Sequence, residues 1–395
     1  MDFIKYRFIY YPVLFVAGIF IFDKIFLLPE VRDNFIQPGG MMYYRQRHKQ
    51  LHALDEFFET PRSQKKVAAV LGDSRSFALG NVAAWYIEKK EWYLFNFAGP
   101  QAVPAYHYYI AKKILSKHKR PEYLIIGLSP DGFNKNSPYF ANPVMNYGMD
   151  DHFIQDHQDL ILKRDYESYS STRRYALVGM NFSLKVLQKR IMGSAGIKTT
   201  DSSEELPVHM FPILTDFIEK SYAGSKKNKT EFLRAFINSP LESLDQYTLT
   251  GSPRVNMLDL ADGANYSWFG TMGHKKLKSE TEKLVELYLK GYEVSDVQLN
   301  FFRETVRLAR EAGVRVIVFW PRANPYLIDV YQKDRRIYEL WSEIVKITES
   351  EGGRAIDLNT HPDTKCSSFY DASHLSIVCY PSIAKTLLNE LESMK

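Results

Sequence analysis

The sequence is poor in cysteine, with only Cys366 and Cys379 among 395 residues. They do not form a Cys-x-x-Cys pair, and no spacing of cysteine and histidine resembles a zinc site. We therefore expect neither a metal nor a cofactor. The two residues form either one disulfide or two free thiols, so the cysteine count alone does not identify the redox compartment.

The sequence also has little excess charge, because 51 lysines and arginines oppose 46 aspartates and glutamates. No long stripe of lysine or arginine is present, which argues against a nucleic-acid partner. Hydrophobic residues make up 45% of the chain and aromatic residues 14%. This composition can build a real core and excludes global disorder.

A long apolar run occurs at the N-terminus. Residues 8–28 are apolar apart from Asp23 and Lys24, and this stretch is close to the roughly 20 residues that a helix needs to cross a bilayer. No small-x-small cleavage site follows, so residues 1–29 are predicted to be an uncleaved membrane anchor. A buried core helix is the alternative. Lys5 and Arg7 favour a cytoplasmic N-terminus, with the bulk of the chain outside the cytoplasm.

Residues 30–64 are polar and aromatic and are predicted to form a connecting stalk. Residues 65–395 then show strands that alternate with amphipathic helices, which is typical of parallel pairing through right-handed crossovers. The pattern predicts a flavodoxin-like three-layer α/β/α domain with about five parallel strands. The predicted strands are 67–72, 91–98, 122–129, 314–321 and 353–359, and the predicted helices are 76–90, 104–118, 295–313, 325–350 and 381–393.

The alternation is interrupted by residues 130–294, a region rich in Tyr, Ser, Asn and Lys. We interpret it as one mostly helical insertion that covers an edge of the sheet as a lid or a substrate platform.

Polar residues follow each predicted strand. Ligands of parallel α/β sheets bind beyond the carboxyl ends of the strands, so these residues are the candidates for a site. In chain order the candidates are Asp73, Ser74, Arg75, Asn96, Gly99, Ser129, Asp131, Asn134, Arg322, Asp371 and His374.

Three of these candidates fit nucleophilic catalysis. A serine hydroxyl needs a base within hydrogen-bond reach, and His374 lies after the last predicted strand. Asp371, three residues earlier, can fix the tautomer of that imidazole. Ser74 at a helix start and Gly99 offer backbone N–H groups for an oxyanion. The alternative is ordinary helix capping by Asp73, Ser74 or Asp371.

Arg75 and Arg322 also lie at this edge. Either both clamp a substrate carboxylate or phosphate, or both are solvated surface residues.

The blocks LGDSR, NFAG and DASH resemble those of the SGNH (GDSL-type) hydrolase superfamily. The resemblance implies Ser74 as the nucleophile, Gly99 as an oxyanion donor, His374 as the base and Asp371 as its partner. The family's third block, G-x-N-D, is absent, since the third strand ends in GLSPDGFN (127–134). Ser129, Asp131 or Asn134 are the candidates to replace its asparagine.

An anchor, GDSR, a large insertion and strands ending in S-P and W-P are similar to bacterial membrane-anchored SGNH-like proteins. These include alginate O-acetylation proteins and the teichoic-acid D-alanylation protein, and the resemblance covers roughly 65–130 and 295–395. It implies a single-pass protein of the bacterial inner membrane, an acyltransferase or esterase acting on O-acetyl esters of envelope glycans. The implied partners are an acyl donor, a glycan acceptor and a multispanning membrane acyltransferase. A catalytically weak scaffold in polysaccharide assembly, or a lipid esterase facing the cytoplasm, are the alternatives.

Overall fold

A five-stranded, all-parallel sheet forms the centre of the computed structural model, which describes residues 7–28, 39–60, 64–137, 140–176, 262–265, 268 and 271–394. The strand order is β2-β1-β3-β4-β5, the order of flavodoxin-like sheets. The strands are β1 (Lys66–Leu71), β2 (Trp92–Asn96), β3 (Tyr123–Gly127), β4 (Arg315–Trp320) and β5 (Arg354–Asp357). The predicted α/β class with five parallel strands is confirmed.

Helices connect the strands and precede them. They are α1 (Arg7–Ile25), α2 (Gly39–Phe58), α3 (Asn81–Tyr86), α4 (Pro104–Leu115), α5 (Asp151–Asp156), α6 (Lys163–Arg174), α7 (His274–Tyr288), α8 (Asp296–Glu311), α9 (Pro325–Lys333), α10 (Arg335–Ser350) and α11 (Tyr380–Ser393). A π-helix covers Phe140–Gly148. Helix α8 packs against α4 and α10, whereas α3 packs against α11. This grouping is consistent with three layers, because right-handed crossovers place the two sets on opposite faces.

The central strands read as continuous apolar runs because helices cover both faces of the sheet. In β1, every residue from Val67 to Leu71 is buried, and β2 and β3 are buried along their whole length. The sheet is therefore rigid beneath the loops that leave its carboxyl edge.

Two predicted helices differ from the structure. The helix predicted over 325–350 is divided into α9 and α10, because the Asp334 side chain accepts a hydrogen bond from the Arg336 N–H and starts a second helix. The helix predicted over 76–90 is a 3-10 turn, Ser74–Ser76, followed by the short α3.

The apolar run of the predicted N-terminal anchor forms α1. Within the described ranges, no helix has the length and apolar character needed to cross a membrane. Asp23 and Lys24 lie in the last turn of α1, and Asp23 is only 4% exposed. Pro12 also lies inside this helix. Residues 1–6 are outside the described part of the chain.

The predicted stalk contains α2, whose inner face belongs to the core of the α/β domain. Tyr44, Arg47 and Leu54 are fully buried. The Arg47 guanidinium donates to the carbonyl oxygens of Ala98 and Gly263, at 2.6 Å each. This helix therefore supports the loop after β2 and is not a separate connector. Residues 30–38 and 61–63 of the predicted stalk lie outside the described residues.

The insertion predicted over 130–294 starts and ends at one point of the fold. Asn134 and Val294 form an antiparallel bridge, and the Ser295 N–H donates to the Phe133 carbonyl at 2.9 Å. The described parts of the insertion include α5, α6 and α7. Its middle, 177–261, is outside the described residues.

Close packing at the end of β3 leads to a prediction about stability. A Cβ on Gly127 would lie 2.3 Å from the Ser76 Oγ and 2.7 Å from the Phe319 Cζ. We expect Gly127→Ala to lower the free energy of unfolding by about 1–3 kcal/mol, since an overpacked core must shift. Urea denaturation measures this change. Gly273→Ala is the control, because a Cβ there meets nothing within 4 Å. Equal stability of the two variants would contradict the packing at β3.

Candidate active site

The turn after β1 places Ser74 at the carboxyl edge of the sheet. Asp73 caps the 3-10 turn Ser74–Ser76, and its Oδ1 accepts a hydrogen bond from the Arg75 N–H at 2.8 Å. Capping by Asp73 and display of the Ser74 hydroxyl therefore occur together in one turn.

Ser74, His374 and Asp371 form a continuous chain of hydrogen bonds. The Ser74 Oγ lies 2.7 Å from the His374 Nε2, and the His374 Nδ1 lies 2.8 Å from the Asp371 Oδ2. With Asp371 ionised, Nδ1 carries the proton and Nε2 is free to accept the serine proton. The His374 side chain is 17% exposed, so the imidazole is shielded yet accessible. The arrangement can activate a hydroxyl as a nucleophile.

The Asp371 carboxylate is held by the loop that carries it. Its Oδ1 accepts hydrogen bonds from the backbone N–H groups of Ser373 and His374, at 2.7 and 2.8 Å. Burial alone would raise the pKa of Asp371, but these bonds and the hydrogen bond and charge of His374 outweigh burial and lower the pKa below its ordinary value. Asp371 is therefore an anion that orients the imidazole.

A disulfide closes the base of this loop. Cys366 and Cys379 are bonded, with their Cα atoms 5.4 Å apart, which resolves the two alternatives left by the sequence. Phe369 and Leu375 form an antiparallel bridge within the loop, and the Ser376 N–H donates to the Ser368 carbonyl at 2.9 Å. The Asp371–His374 pair therefore lies at the tip of a closed, cross-linked loop.

Arg75 lies in a buried ionic network and is neither a solvated residue nor a free clamp. Its Nη1 contacts the Asp73 Oδ2 at 2.7 Å and the Asp131 Oδ1 at 2.9 Å. Ser129 donates its hydroxyl to the same Asp73 oxygen at 2.5 Å. Burial would lower the pKa of Arg75, but Asp131 and Asp73 raise it well above the ordinary value. The network connects the end of β3 to the 3-10 turn Ser74–Ser76, here called the nucleophile turn after the predicted role of Ser74.

The predicted oxyanion donor Gly99 makes a different contact. Its N–H donates to the Gly72 carbonyl at 3.0 Å. A Cβ at Gly99 would lie 2.5 Å from the Tyr44 ring, so only glycine fits at this position. The Ser74 N–H lies at the start of the 3-10 turn and has no hydrogen-bond acceptor among the described residues.

Two predicted asparagine candidates have structural partners. The Asn96 Nδ2 donates to the carbonyls of Ser76 and Leu79, at 2.7 and 2.9 Å, and fixes the nucleophile turn from below. The Asn134 Nδ2 donates to the Tyr288 carbonyl at 2.7 Å and fastens the base of the insertion. Neither amide is directed to the Ser74 hydroxyl.

Arg322 lines a small cavity together with Arg75 and Ser373. Its Nη1 makes a long contact of 3.4 Å to the Leu358 carbonyl, and its buried Nε has no partner among the described residues. Burial lowers the pKa of Arg322, and Asp357 opposes this effect. Of the two arginines, Arg322 is therefore the one whose guanidinium N–H groups could donate hydrogen bonds to a ligand.

Trp268 is a neighbour of the site that no sequence motif indicates. Its ring centroid lies 4.1 Å from that of His374. Trp268 belongs to the insertion and is not part of a recognisable motif, so its position becomes evident only in three dimensions. Among the residues that the structure describes, no group of three or more His, Cys, Asp or Glu side chains could hold a metal ion.

The disulfide leads to a prediction about stability. The two cysteines are 13 residues apart, and closing a loop of about 15 residues contributes about 3 kcal/mol by restricting the unfolded chain. We expect Cys366→Ser combined with Cys379→Ser to lower the free energy of unfolding in urea by about this amount. Dithiothreitol should reproduce the loss in the wild type and have no effect on the double variant. A wild-type protein insensitive to reductant would contradict the cross-link.

Comparison with known proteins gives a family without an assigned activity. The chain matches none of the curated proteins. The model of one family matches residues 3–208 and 254–391, and thus covers both the α/β domain and the N-terminal helices. The chain belongs to this family, which is described as "Protein of unknown function (DUF1574)".

Proposed function

We propose that this protein is a serine esterase or O-acyltransferase. The observation that carries the proposal is the hydrogen-bonded chain from the Ser74 hydroxyl through His374 to Asp371. Such a chain activates a hydroxyl in unrelated folds that hydrolyse or transfer acyl groups. The nucleophile and base also lie after the first and last strands, at the edge where ligands of parallel sheets bind.

In the proposed reaction, the Ser74 Oγ attacks the carbonyl carbon of an acyl ester and its proton passes to the His374 Nε2. Asp371 stabilises the resulting imidazolium. The tetrahedral intermediate collapses, and the leaving alcohol takes the proton from His374. Water or an acceptor hydroxyl then gives its proton to His374 and attacks the acyl-serine. Collapse of the second intermediate returns the proton to Ser74 and releases the acid or the new ester.

The Ser74 N–H is the backbone donor best placed to stabilise the oxyanion in this reaction. It starts the 3-10 turn and has no acceptor among the described residues. Gly99 would contribute a second N–H only if the bond to the Gly72 carbonyl lengthens or is shared when the carbonyl substrate binds.

Membership of the SGNH superfamily is part of the proposal. Its support is the order of the motifs on the parallel sheet, with Ser74 after β1, Gly99 after β2 and the Asp371–His374 pair after β5. Ser129 and Asp131 follow β3 and contact the nucleophile turn through Asp73 and Arg75, so a polar third block is present in altered form.

The proposed substrates are O-acetyl esters of cell-envelope glycans, and the proposed partner is a multispanning membrane acyltransferase. A location outside the bacterial cytoplasm is supported by the Cys366–Cys379 disulfide, since such bonds persist mainly in oxidising compartments. Attachment to the inner membrane is supported by α1, which exposes large apolar side chains such as Leu14 and Phe15, 65% and 69% exposed.

A catalytically weak scaffold that binds glycan or a membrane partner is the second candidate. The observation that favours it is the engagement of the Gly99 N–H by the Gly72 carbonyl. An enzyme with one oxyanion donor fewer loses about a hundredfold or more in turnover, which would leave a slow esterase.

The catalytic proposal predicts the behaviour of triad variants. We expect Ser74→Ala and His374→Ala to lower the turnover of an acetyl ester at least about a thousandfold, and Asp371→Asn to lower it by a similar factor through the wrong tautomer. Labelling by a fluorophosphonate probe should disappear in Ser74→Ala. Ser76→Ala is the matched control, because its buried hydroxyl has no partner among the described residues. This variant should keep both turnover and labelling.

Two outcomes distinguish the candidate functions. A wild-type protein that neither labels nor hydrolyses any ester, while a Ser74→Ala strain keeps the cellular function, would reject the enzyme and favour the scaffold. Labelling that persists in Ser74→Ala would reject Ser74 as the nucleophile.

Membrane attachment predicts an effect of charges on α1. Purified full-length protein should float with anionic lipid vesicles, and Leu14→Glu combined with Phe15→Glu should abolish flotation because charges oppose burial among acyl chains. Tyr338→Glu, at a 69% exposed position of α10, is the control and should float normally. Equal flotation of all three proteins would contradict a role for α1.

A further inference from the structure

The C-terminal part of the insertion runs directly over the candidate site. The Asn265 N–H donates to the Phe77 carbonyl at 2.7 Å, just after the nucleophile turn. The Ile377 N–H donates to the Trp268 carbonyl at 2.9 Å, and the Met272 N–H donates to the Phe369 carbonyl at 2.7 Å. Backbone hydrogen bonds therefore fix this segment to both loops that carry the triad.

Trp268 is the centre of an aromatic wall that consists of Phe77, Trp268 and Tyr370. The Trp268 ring lies nearly parallel to Phe77, with centroids 5.6 Å apart and an angle of 18°. It lies equally parallel to Tyr370, at 6.2 Å and 16°. The same indole contacts the His374 ring, so this wall borders the group that would move the proton.

The aromatic wall is buried at one end and open at the other. Phe77 is 2% exposed, Trp268 is partly exposed and Tyr370 is 39% exposed. An exposed aromatic face can pack against the apolar face of a ligand. The Tyr370 N–H donates to the His374 carbonyl at 2.9 Å, so the exposed end adjoins the loop that carries the imidazole.

We propose that Trp268 and Tyr370 form a subsite for a sugar ring of the ester or acceptor. The inference rests on the proposed function and names the substrate class of the same site. The C–H face of a pyranose complements the negative face of an aromatic ring, and its equatorial hydroxyls remain free to point away from the wall. A sugar on the exposed ring of Tyr370 would lie beside the Trp268 ring that contacts His374, and so near the hydroxyl and imidazole of the candidate site.

The test compares two substrates in the full-length protein. One is O-acetylated cellotetraose, and the other is glycerol triacetate, which has no ring. We expect Trp268→Ala and Tyr370→Ala to lower kcat/KM for the oligosaccharide about thirtyfold and for glycerol triacetate about threefold. The ratio of the two values thus falls about tenfold. Tyr338→Ala is the matched control, a 69% exposed tyrosine on α10, and should not change the ratio.

A second measurement separates the subsite from catalysis. Calorimetric titration of Ser74→Ala with unmodified cellotetraose should detect binding, and adding Tyr370→Ala should weaken it about tenfold. This result would support the subsite even if the wild type cleaves neither ester, an outcome that would reject the proposed reaction. Equal losses of kcat/KM on both substrates, or no loss of binding with Tyr370→Ala, would overturn the subsite.

Discussion

The candidate site depends on a hydrogen bond between side chains that are 300 positions apart, the Ser74 hydroxyl and the His374 imidazole. The fold brings them together because the strands run parallel, so that the first and last connections leave the same edge of the sheet. Neither side chain could hold this geometry alone. The turn of Ser74 is fixed from below by Asn96, and the loop of His374 is closed by the Cys366–Cys379 disulfide.

The nucleophile turn is unusually constrained by its neighbours. Ser76 occupies the space beside Gly72 and Gly127, where a Cβ on either glycine would approach within 2.2–2.3 Å of its Oγ. Asp73 joins Arg75 and Ser129 in a buried network. Its Oδ1 caps the turn, and its Oδ2 accepts hydrogen bonds from the Arg75 guanidinium and the Ser129 hydroxyl. These contacts restrict the Ser74 backbone before any ligand binds, and such rigidity keeps a reacting group in position.

The sequence could predict the sheet and the three residues of the hydrogen-bonded chain because both depend on local patterns. Buried strands are continuous apolar runs, and polar residues at their ends mark the functional edge. It could not predict α2 as part of the core, because the buried Arg47 depends on donating to the carbonyl oxygens of the distant residues Ala98 and Gly263. Trp268 was missed for the same reason, since its contact with His374 is set by long-range backbone pairing.

The Gly99–Gly72 hydrogen bond bears on how strongly the proposed enzyme could stabilise an oxyanion. A backbone N–H that donates to a carbonyl at 3.0 Å stabilises an oxyanion only after that bond weakens, and the cost reduces the gain in the transition state. Tyr44 packs against Gly99 and donates to the Pro100 carbonyl at 2.7 Å, so α2 holds this loop in place. Arg47 binds the same loop and the segment leading to Trp268. Through Arg47, α2 therefore joins the loop that precedes Gly99 to Gly263 in the insertion, and this connection favours the observed bond between the Gly99 N–H and the Gly72 carbonyl.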